Sequence, residues 1–198
     1  MNHIVQVRLR AVSHASHVRL NHHPLLAGLA GRAYSLSAYR TVLVAYYHLY
    51  QLLEMRIEQF IRVNRTPFDY SVRLKLPWLV DDLQFFNENP HVHRPVPQLD
   101  FPEITGIGQL IGVLYPVEGA TLGGQVISRH LFDKHGLTQG ARFFNGYGNV
   151  TQENWQQFCL FAESIGGDER QCQAAEAAAL LTFNRFEEVL NAYHRADC

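Results

Sequence analysis

Several features that would define a function at once are scarce or missing. The 198-residue chain has three cysteines, Cys159, Cys172 and Cys198, without a C-x-x-C pair, so neither a disulfide framework nor a zinc knuckle is indicated. No apolar run approaches the roughly 20 residues that cross a membrane, and the first residues lack the apolar core of a signal peptide. We therefore expect a reduced, cytoplasmic protein without a membrane segment, folded as a single domain over residues 1–198.

Strong charge of either sign is also missing. Seventeen basic side chains balance eighteen acidic ones, for a net charge of -1, and a chain without a basic patch is not expected to bind nucleic acid. No G-x-S-x-G motif of a serine hydrolase occurs. The one Glu-x-x-His pair, Glu88 and His91, encloses Pro90. This excludes a ferritin-like di-iron site, which needs two such pairs on facing helices.

What the chain does contain is apolar spacing typical of helices, and strand alternation bounded by turns is not evident. The sequence predicts an all-α fold with several helices. Ser37 is the expected N-cap of the second helix, and Gly136 is the expected C-terminal cap of the fourth. The predicted helices cover Val5 to about Leu29, 35–61, 71–86, about Ile104 to His135, 152–165 and 168–193.

The fourth helix contains the segment VEGATLGGQVISRHL, residues 117–131, with three glycines. Each glycine in a helix costs about 1 kcal/mol relative to alanine. At helical spacing Gly112, Tyr115, Gly119 and Gly123 share one face, and Gly124 lies beside it. Small residues permit close packing of two helices, and they equally permit a flat ligand to lie against bare backbone. The spacing alone leaves both interpretations open.

The first helix places His17 on one face with Arg10 and with Ser13 or His14. A histidine in such a position is commonly a hydrogen-bonded structural residue. It also suits an axial ligand of a heme iron, with the arginine on a propionate.

Two separated motifs resemble those of heme oxygenases, in particular the bacterial biliverdin-producing branch. EGATLGGQVISRHL resembles the distal helix of that family, and LRAVSHASHVRL resembles its amino-terminal L-R-x-x-(T/S)-x-x-x-H pattern. The segments ARFFNGYGNVTQENWQQF and TFNRFEEVL are also similar to bacterial members.

This resemblance implies a heme-oxygenase-like fold with heme between a proximal and a distal helix. It implies that His17 is the proximal iron ligand and that Gly119, Gly123 and Gly124 cover the distal face, close to where oxygen binds. Arg10 and Tyr115 fall where relatives contact the heme propionates.

Ala120 departs from the mammalian pattern, which has an aspartate directly after the first distal glycine to hold a proton-delivering water network. Bacterial relatives also lack this acid, so the departure does not exclude activity. With Ala120 in the catalytic segment, the expected proton path consists of waters held by backbone carbonyls, Thr121, Gln125 or Arg129.

The resemblance further implies an enzyme for which heme is both substrate and cofactor. Heme, O2 and an external electron donor, a reductase or a ferredoxin, would yield biliverdin, carbon monoxide and ferrous iron, by default through the α-meso carbon. Biliverdin would then serve iron release or supply a bacteriophytochrome. Two alternatives stay open: a heme store, carrier or sensor without turnover, which Ala120 favours, and a helical interaction domain in which the glycines serve packing only.

Overall fold

The structure is a computed structural model that describes residues 3–29, 34–92, 100–137 and 139–196. All regular elements in these ranges are helical, which confirms the predicted all-α class. Two short 3-10 turns, Ser71–Arg73 and Gly148–Val150, accompany the α-helices. The α-helices of the described residues are α1 (Ile4–Asn21), α2 (Leu36–Val63), α3 (Leu76–Phe85), α4 (Ile107–His135), α5 (Arg142–Asn145), α6 (Thr151–Glu163) and α7 (Glu169–Ala196).

The first helix is shorter than the sequence predicts: α1 ends at Asn21 and not near Leu29. Pro24 explains the difference, because its ring would collide with the carbonyl of Leu20 and it has no N–H to donate. The following residues form turns instead, and the Leu26 N–H donates to the carbonyl of His23 at 2.8 Å.

Three other helix starts also differ from expectation, whereas the predicted glycine cap is confirmed. Helix α3 begins at Leu76 and not at Ser71, because residues Ser71–Arg73 form a separate 3-10 turn. The N-cap of α2 is Ser35, whose hydroxyl accepts the N–H of Ala38 at 3.1 Å, and not Ser37. Helix α4 begins at Ile107, three residues after the predicted start, and ends at His135, with Gly136 as its C-terminal cap. Gly136 has φ 61°, the left-handed conformation that glycine adopts without cost.

Helix α4 packs along α7, and α7 also contacts α1 and α2. The two backbones come unusually close at Gly108 and Gly112, where a Cβ atom would lie under 3.0 Å from the carbonyl oxygens of Gln171 and Ala175. The packing interpretation therefore holds for the first half of α4. Pro116 follows one turn later and removes one helical hydrogen bond at the middle of the helix.

By length and composition α4 could cross a membrane, with a mean hydropathy of 1.3 over its most apolar window. In the fold, 56% of that window is buried against the rest of the protein. Its apolar character is accounted for by its place in the core.

Cys159 and Cys172 are buried and unpaired, and burial raises the pKa of Cys159 to about 11. Cys198 lies outside the described residues.

Candidate functional site: the cavity between α1 and α4

A cavity of about 830 Å³ separates α1 from the second half of α4. This volume lies in the upper part of the range of small-molecule sites. Aromatic side chains from α2, α5 and α7 form its inner wall, among them Tyr46, Tyr50, Phe143 and Phe186. The structure brings together around this cavity the residues predicted to bind heme and to form the catalytic segment: Arg10, His17, Tyr115, Gly119, Ala120, Thr121, Gly123 and Gly124.

The His17 imidazole lies on the α1 side of the cavity. Its Nδ1 is 3.4 Å from the side-chain amide of Asn21, one helical turn further on, and its ring meets Phe183 edge-on at 6.1 Å between centroids. Burial lowers the pKa of His17, and the nearby His14 lowers it further. The neutral imidazole is thereby favoured, and this is the form that binds metal ions.

Asn21 also bears on which nitrogen of His17 is available. The group that faces Nδ1 is the Nδ2 amide nitrogen of Asn21, at 3.4 Å, and an amide nitrogen can only donate. In this arrangement Nδ1 accepts and the neutral ring carries its proton on Nε2, so ligation of a metal through Nε2 requires the other tautomer and a turned amide.

The three glycines of α4 have different surroundings. A Cβ atom on Gly123 would meet no atom within 4 Å, and one on Gly119 would meet only the Trp155 ring, at 3.7 Å. A Cβ atom on Gly124 would come under 3.0 Å from the backbone carbonyl oxygen of Phe144. Gly119 and Gly123 thus leave bare backbone beside open space, while Gly124 lets α5 approach α4.

Tyr115 and Arg10 lie at the same end of the cavity. Burial raises the pKa of Tyr115, and the Ser13 hydroxyl and the Arg10 charge partly oppose that shift. A guanidinium beside a phenol can bind a carboxylate by charge-assisted hydrogen bonds.

Sequence reasoning missed a buried charged cluster between α4, which contributes Glu118, and the segment that carries Arg73 and Lys75. The side chains of Arg73, Lys75 and Glu118 are 3%, 1% and 1% exposed. The Lys75 ammonium pairs with Oε1 of Glu118 and donates to the hydroxyl of Tyr147 at 2.7 Å. Arg73 donates to Oε2 of Glu118 at 2.8 Å. Lys75 also lines the cavity.

The buried carboxylate of Glu54 positions this cluster. It accepts the backbone N–H groups of Lys75 at 2.6 Å and Leu76 at 3.1 Å, and the hydroxyl of Tyr70 at 3.0 Å. Burial lowers the pKa of Lys75, and the negative charge of Glu118 opposes that shift. The one available signal in the sequence was Lys75 itself, one of only two lysines, inside the apolar segment LKLPWL.

Of the three side chains expected to hold proton-delivering waters, Thr121 lines the cavity. Its hydroxyl donates to the carbonyl of Glu118 at 2.7 Å. The Gln125 amide donates instead to Thr151 at 3.1 Å and to the carbonyl of Gly148. Arg129 is exposed and is not part of the cavity wall.

Comparison with known proteins places these observations in a family. Residues 4–192 match the family model described as heme oxygenase. The heme oxygenase of Leptospira interrogans has 16% identity and a TM-score of 0.76, over 94% of this chain and 98% of its own. The Neisseria meningitidis heme oxygenase, solved with NO and CO bound, has 18% identity and a TM-score of 0.75, over 96% and 92%.

Heme oxygenase-1 of the cyanobacterium Synechocystis, solved in complex with heme, has 17% identity and a TM-score of 0.63, over 98% and 95% of the two chains. At these identities the structural likeness establishes the fold. No curated protein matches the chain.

Proposed function

Because the chain belongs to the heme oxygenase family, we propose that its cavity binds heme and that the protein cleaves heme with O2 and reducing equivalents to biliverdin, carbon monoxide and ferrous iron. The observation that carries this proposal is the pairing of an imidazole on one wall with bare glycine backbone on the other. His17 supplies the first, and Gly119 and Gly123 supply the second.

The residues present fit a heme. A side chain at Gly123 would project into space that the structure leaves open, and a neutral imidazole at His17 can ligate iron. Arg10 and Tyr115 would hold a propionate at their end of the cavity. The bound heme supplies the iron at which O2 is reduced and the porphyrin carbon that is oxidised.

The chain's own contribution is orientation and exclusion of water. The aromatic wall, with Tyr46 and Phe143 among its members, restricts how a flat ligand can rotate within the cavity. The α4 wall carries Ala120, Leu122 and Val126 beside the glycines, without an imidazole or a guanidinium. A wall of this kind would place no charged side chain of α4 against a ligand bound in the cavity.

An absorption time course with hemin, ascorbate and air tests the proposal. We expect the Soret band to decay while a broad red biliverdin band grows. His17→Ala should weaken heme binding at least about tenfold and abolish conversion, whereas His14→Ala, on the same wall, should convert heme normally. Heme binding with a persistent Soret band in the native protein would contradict the enzyme.

A second candidate function is a heme store, carrier or sensor on the same scaffold. Ala120 favours it, since an alanine at this point of the cavity wall cannot hold a water network through its side chain. The same time course separates the two functions, because a store would keep its Soret band in the presence of ascorbate and air.

For the enzyme we further propose a cytoplasmic site of action, an external reductase or ferredoxin as electron donor, and biliverdin released either for iron recovery or to a bacteriophytochrome. Reconstitution with a ferredoxin and its reductase in place of ascorbate, followed by chromatography of the pigment, tests the donor and the isomer together. If the ferredoxin and its reductase do not support heme conversion, the proposed electron donor is refuted.

A further inference from the structure

Six consecutive residues of α4, from Gly119 to Gly124, line the cavity and are called here the glycine segment. This is a weak stretch of helix, because glycine is the poorest helix former after proline. Pro116, just ahead of it, also removes one helical hydrogen bond. Since the cavity side is bare at Gly119 and Gly123, the position of the segment has to be fixed from its other side.

Glu118 directly precedes the glycine segment and holds its start. The buried carboxylate accepts hydrogen bonds from Arg73 at 2.8 Å and from Lys75. The Tyr147 hydroxyl also donates to it and lies 3.0 Å from both oxygens. Arg73 is fixed in turn by the side chain of Gln157 on α6, at 2.7 Å. Apolar residues of similar volume would often serve stability equally well, whereas these directed hydrogen bonds fix one position of the helix.

Gln125 directly follows the glycine segment and holds its other end. Its side-chain amide donates to the Thr151 hydroxyl at 3.1 Å and to the carbonyl of Gly148. Gln125 comes seven residues after Glu118, so the two side chains leave α4 on the same side. Neither of them belongs to the cavity wall. The glycine segment is thus held at both ends by contacts that face away from the cavity.

Both ends contact the same short stretch, residues 147–151, which connects α5 to α6. The middle of the glycine segment is supported by the residue just before that stretch, since a Cβ atom on Gly146 would lie 3.3 Å from the Cβ atom of Thr121. At Gly124 the backbone carbonyl of Phe144 leaves no room for a Cβ atom. Helix α5 and its connection to α6 therefore support the glycine segment along its length.

We propose that Glu118 and Gln125 are positioning residues that set the height and rotation of the glycine segment over the bound heme, and so determine which meso carbon is cleaved. This inference rests on the proposed binding of heme in the cavity. A flat ligand that fills the cavity meets the backbone at Gly119 and Gly123, and backbone atoms cannot adjust by a change of rotamer. Their position depends on the helix as a whole, which the two side chains hold.

Gln125→Met is the test variant, because methionine has nearly the shape of glutamine and a similar helix propensity but cannot donate a hydrogen bond. The Gly148 carbonyl keeps the Thr151 hydroxyl as its donor, at 2.8 Å. The matched control is Gln109→Met. Gln109 is also a half-buried glutamine of α4, and it accepts two hydrogen bonds from Thr105. It lies in the first turn of the helix, outside the cavity wall.

The first test uses the heme-free protein. Amide hydrogen exchange across the glycine segment should become about tenfold faster in Gln125→Met, the effect of two lost hydrogen bonds of ordinary net strength. In Gln109→Met the segment should exchange at the native rate. If Gln125→Met does not fold, Thr151→Val removes one of the same two contacts. Unchanged exchange across the segment in the folded variant would overturn the inference, and so would equal acceleration by the control.

The second test uses bound heme. Gln125→Met should change the ratio of the biliverdin isomers and broaden the infrared C–O band of the ferrous carbon monoxide complex, because the Gly119 and Gly123 backbone then occupies several positions beside the ligand. Gln109→Met should keep the native ratio and band even where it lowers Tm equally, which separates positioning from a loss of stability.

A native isomer ratio and a native C–O band in Gln125→Met would overturn the inference. A native protein that binds heme without converting it would contradict the proposed function instead. The C–O band of Gln125→Met would then still show whether this side chain positions the glycine segment over the heme.

Discussion

The contrast between Gly123 and Gly124 yields the sharpest prediction, because adjacent residues of one helix should respond to the same substitution in opposite ways. In Gly123→Ala the new methyl group meets no atom within 4 Å and points into open space. In Gly124→Ala it collides with the carbonyl oxygen of Phe144, a backbone atom that cannot rotate away.

The magnitudes follow from helix propensity and packing. Alanine is favoured over glycine by about 1 kcal/mol in a helix, so heme-free Gly123→Ala should gain up to that amount, or about 2–4 °C in Tm for a chain of this length. Gly124→Ala gains the same propensity and loses about 1–3 kcal/mol to overpacking. Its net change should be a loss of up to about 2 kcal/mol and several degrees.

The assay is thermal unfolding of both heme-free variants, followed by hemin titration. Gly123→Ala should be the more stable protein and the weaker heme binder, since its methyl group occupies the space that the ligand needs. Gly124→Ala should be less stable. Destabilisation of the heme-free protein by Gly123→Ala would refute the assignment of that glycine to the cavity, and equal behaviour of the two variants would refute the division between them.

Two further predictions concern the edges of the site. Asp82 accepts the N–H groups of Arg142 and Phe143 at 2.7 and 2.8 Å, and burial raises its pKa to about 6 from 3.8. Because the pKa of Asp82 is higher in the folded protein than in the unfolded chain, the free energy of unfolding falls as pH rises between the two values. Between about pH 4.5 and about pH 7, the native protein should lose about 2 kcal/mol of unfolding free energy relative to Asp82→Asn. A difference between the two proteins that does not change with pH would contradict this. Arg10→Gln should weaken heme binding about fivefold, or by about 1 kcal/mol, because solvent screens the charge at this exposed position. The variant should also bind heme with less dependence on salt concentration than the native protein. Unchanged affinity at low salt would exclude a propionate contact with Arg10.

Local signals predicted the parts of the fold that depend on neighbouring residues. The left-handed cap at Gly136 and the helical spacing of α4 belong to this kind. The end of α1 could also have been predicted from the sequence, because Pro24 prevents the helix from continuing. The apolar spacing that extends as far as Leu29 favoured a longer helix, and that prediction was wrong. Ser35 and Ser37 are both suitable caps, and only the actual hydrogen bond distinguishes them.

The same limit applies to the site: the sequence predicted site residues that share one helix, and it did not predict contacts between residues far apart in the chain. The spacing of Arg10 and His17 on α1, and of Tyr115 with the glycines on α4, assembled one cavity because each set belongs to a single helix. Lys75 and Glu118 are 43 residues apart in the sequence, and no local pattern indicates that two separated charges are buried together. The family resemblance includes Glu118, the first residue of EGATLGGQVISRHL, but implied no role for it or for Lys75. The biliverdin product and the electron donor stay predictions.

Pro116 divides α4 into two parts with different tolerance of sequence change. Ahead of it, Gly108 and Gly112 are held against α7 at backbone contact, where any side chain would push two helices apart. Beyond it, Leu122 and Val126 are exposed and Gly123 has room. Variation at these three positions, but not at Gly124, where a Cβ atom would collide with the Phe144 carbonyl oxygen, can therefore accumulate or be introduced by design without loosening the first part. A library limited to these later positions would alter which macrocycles the protein accepts while the anchored turns preserve the scaffold.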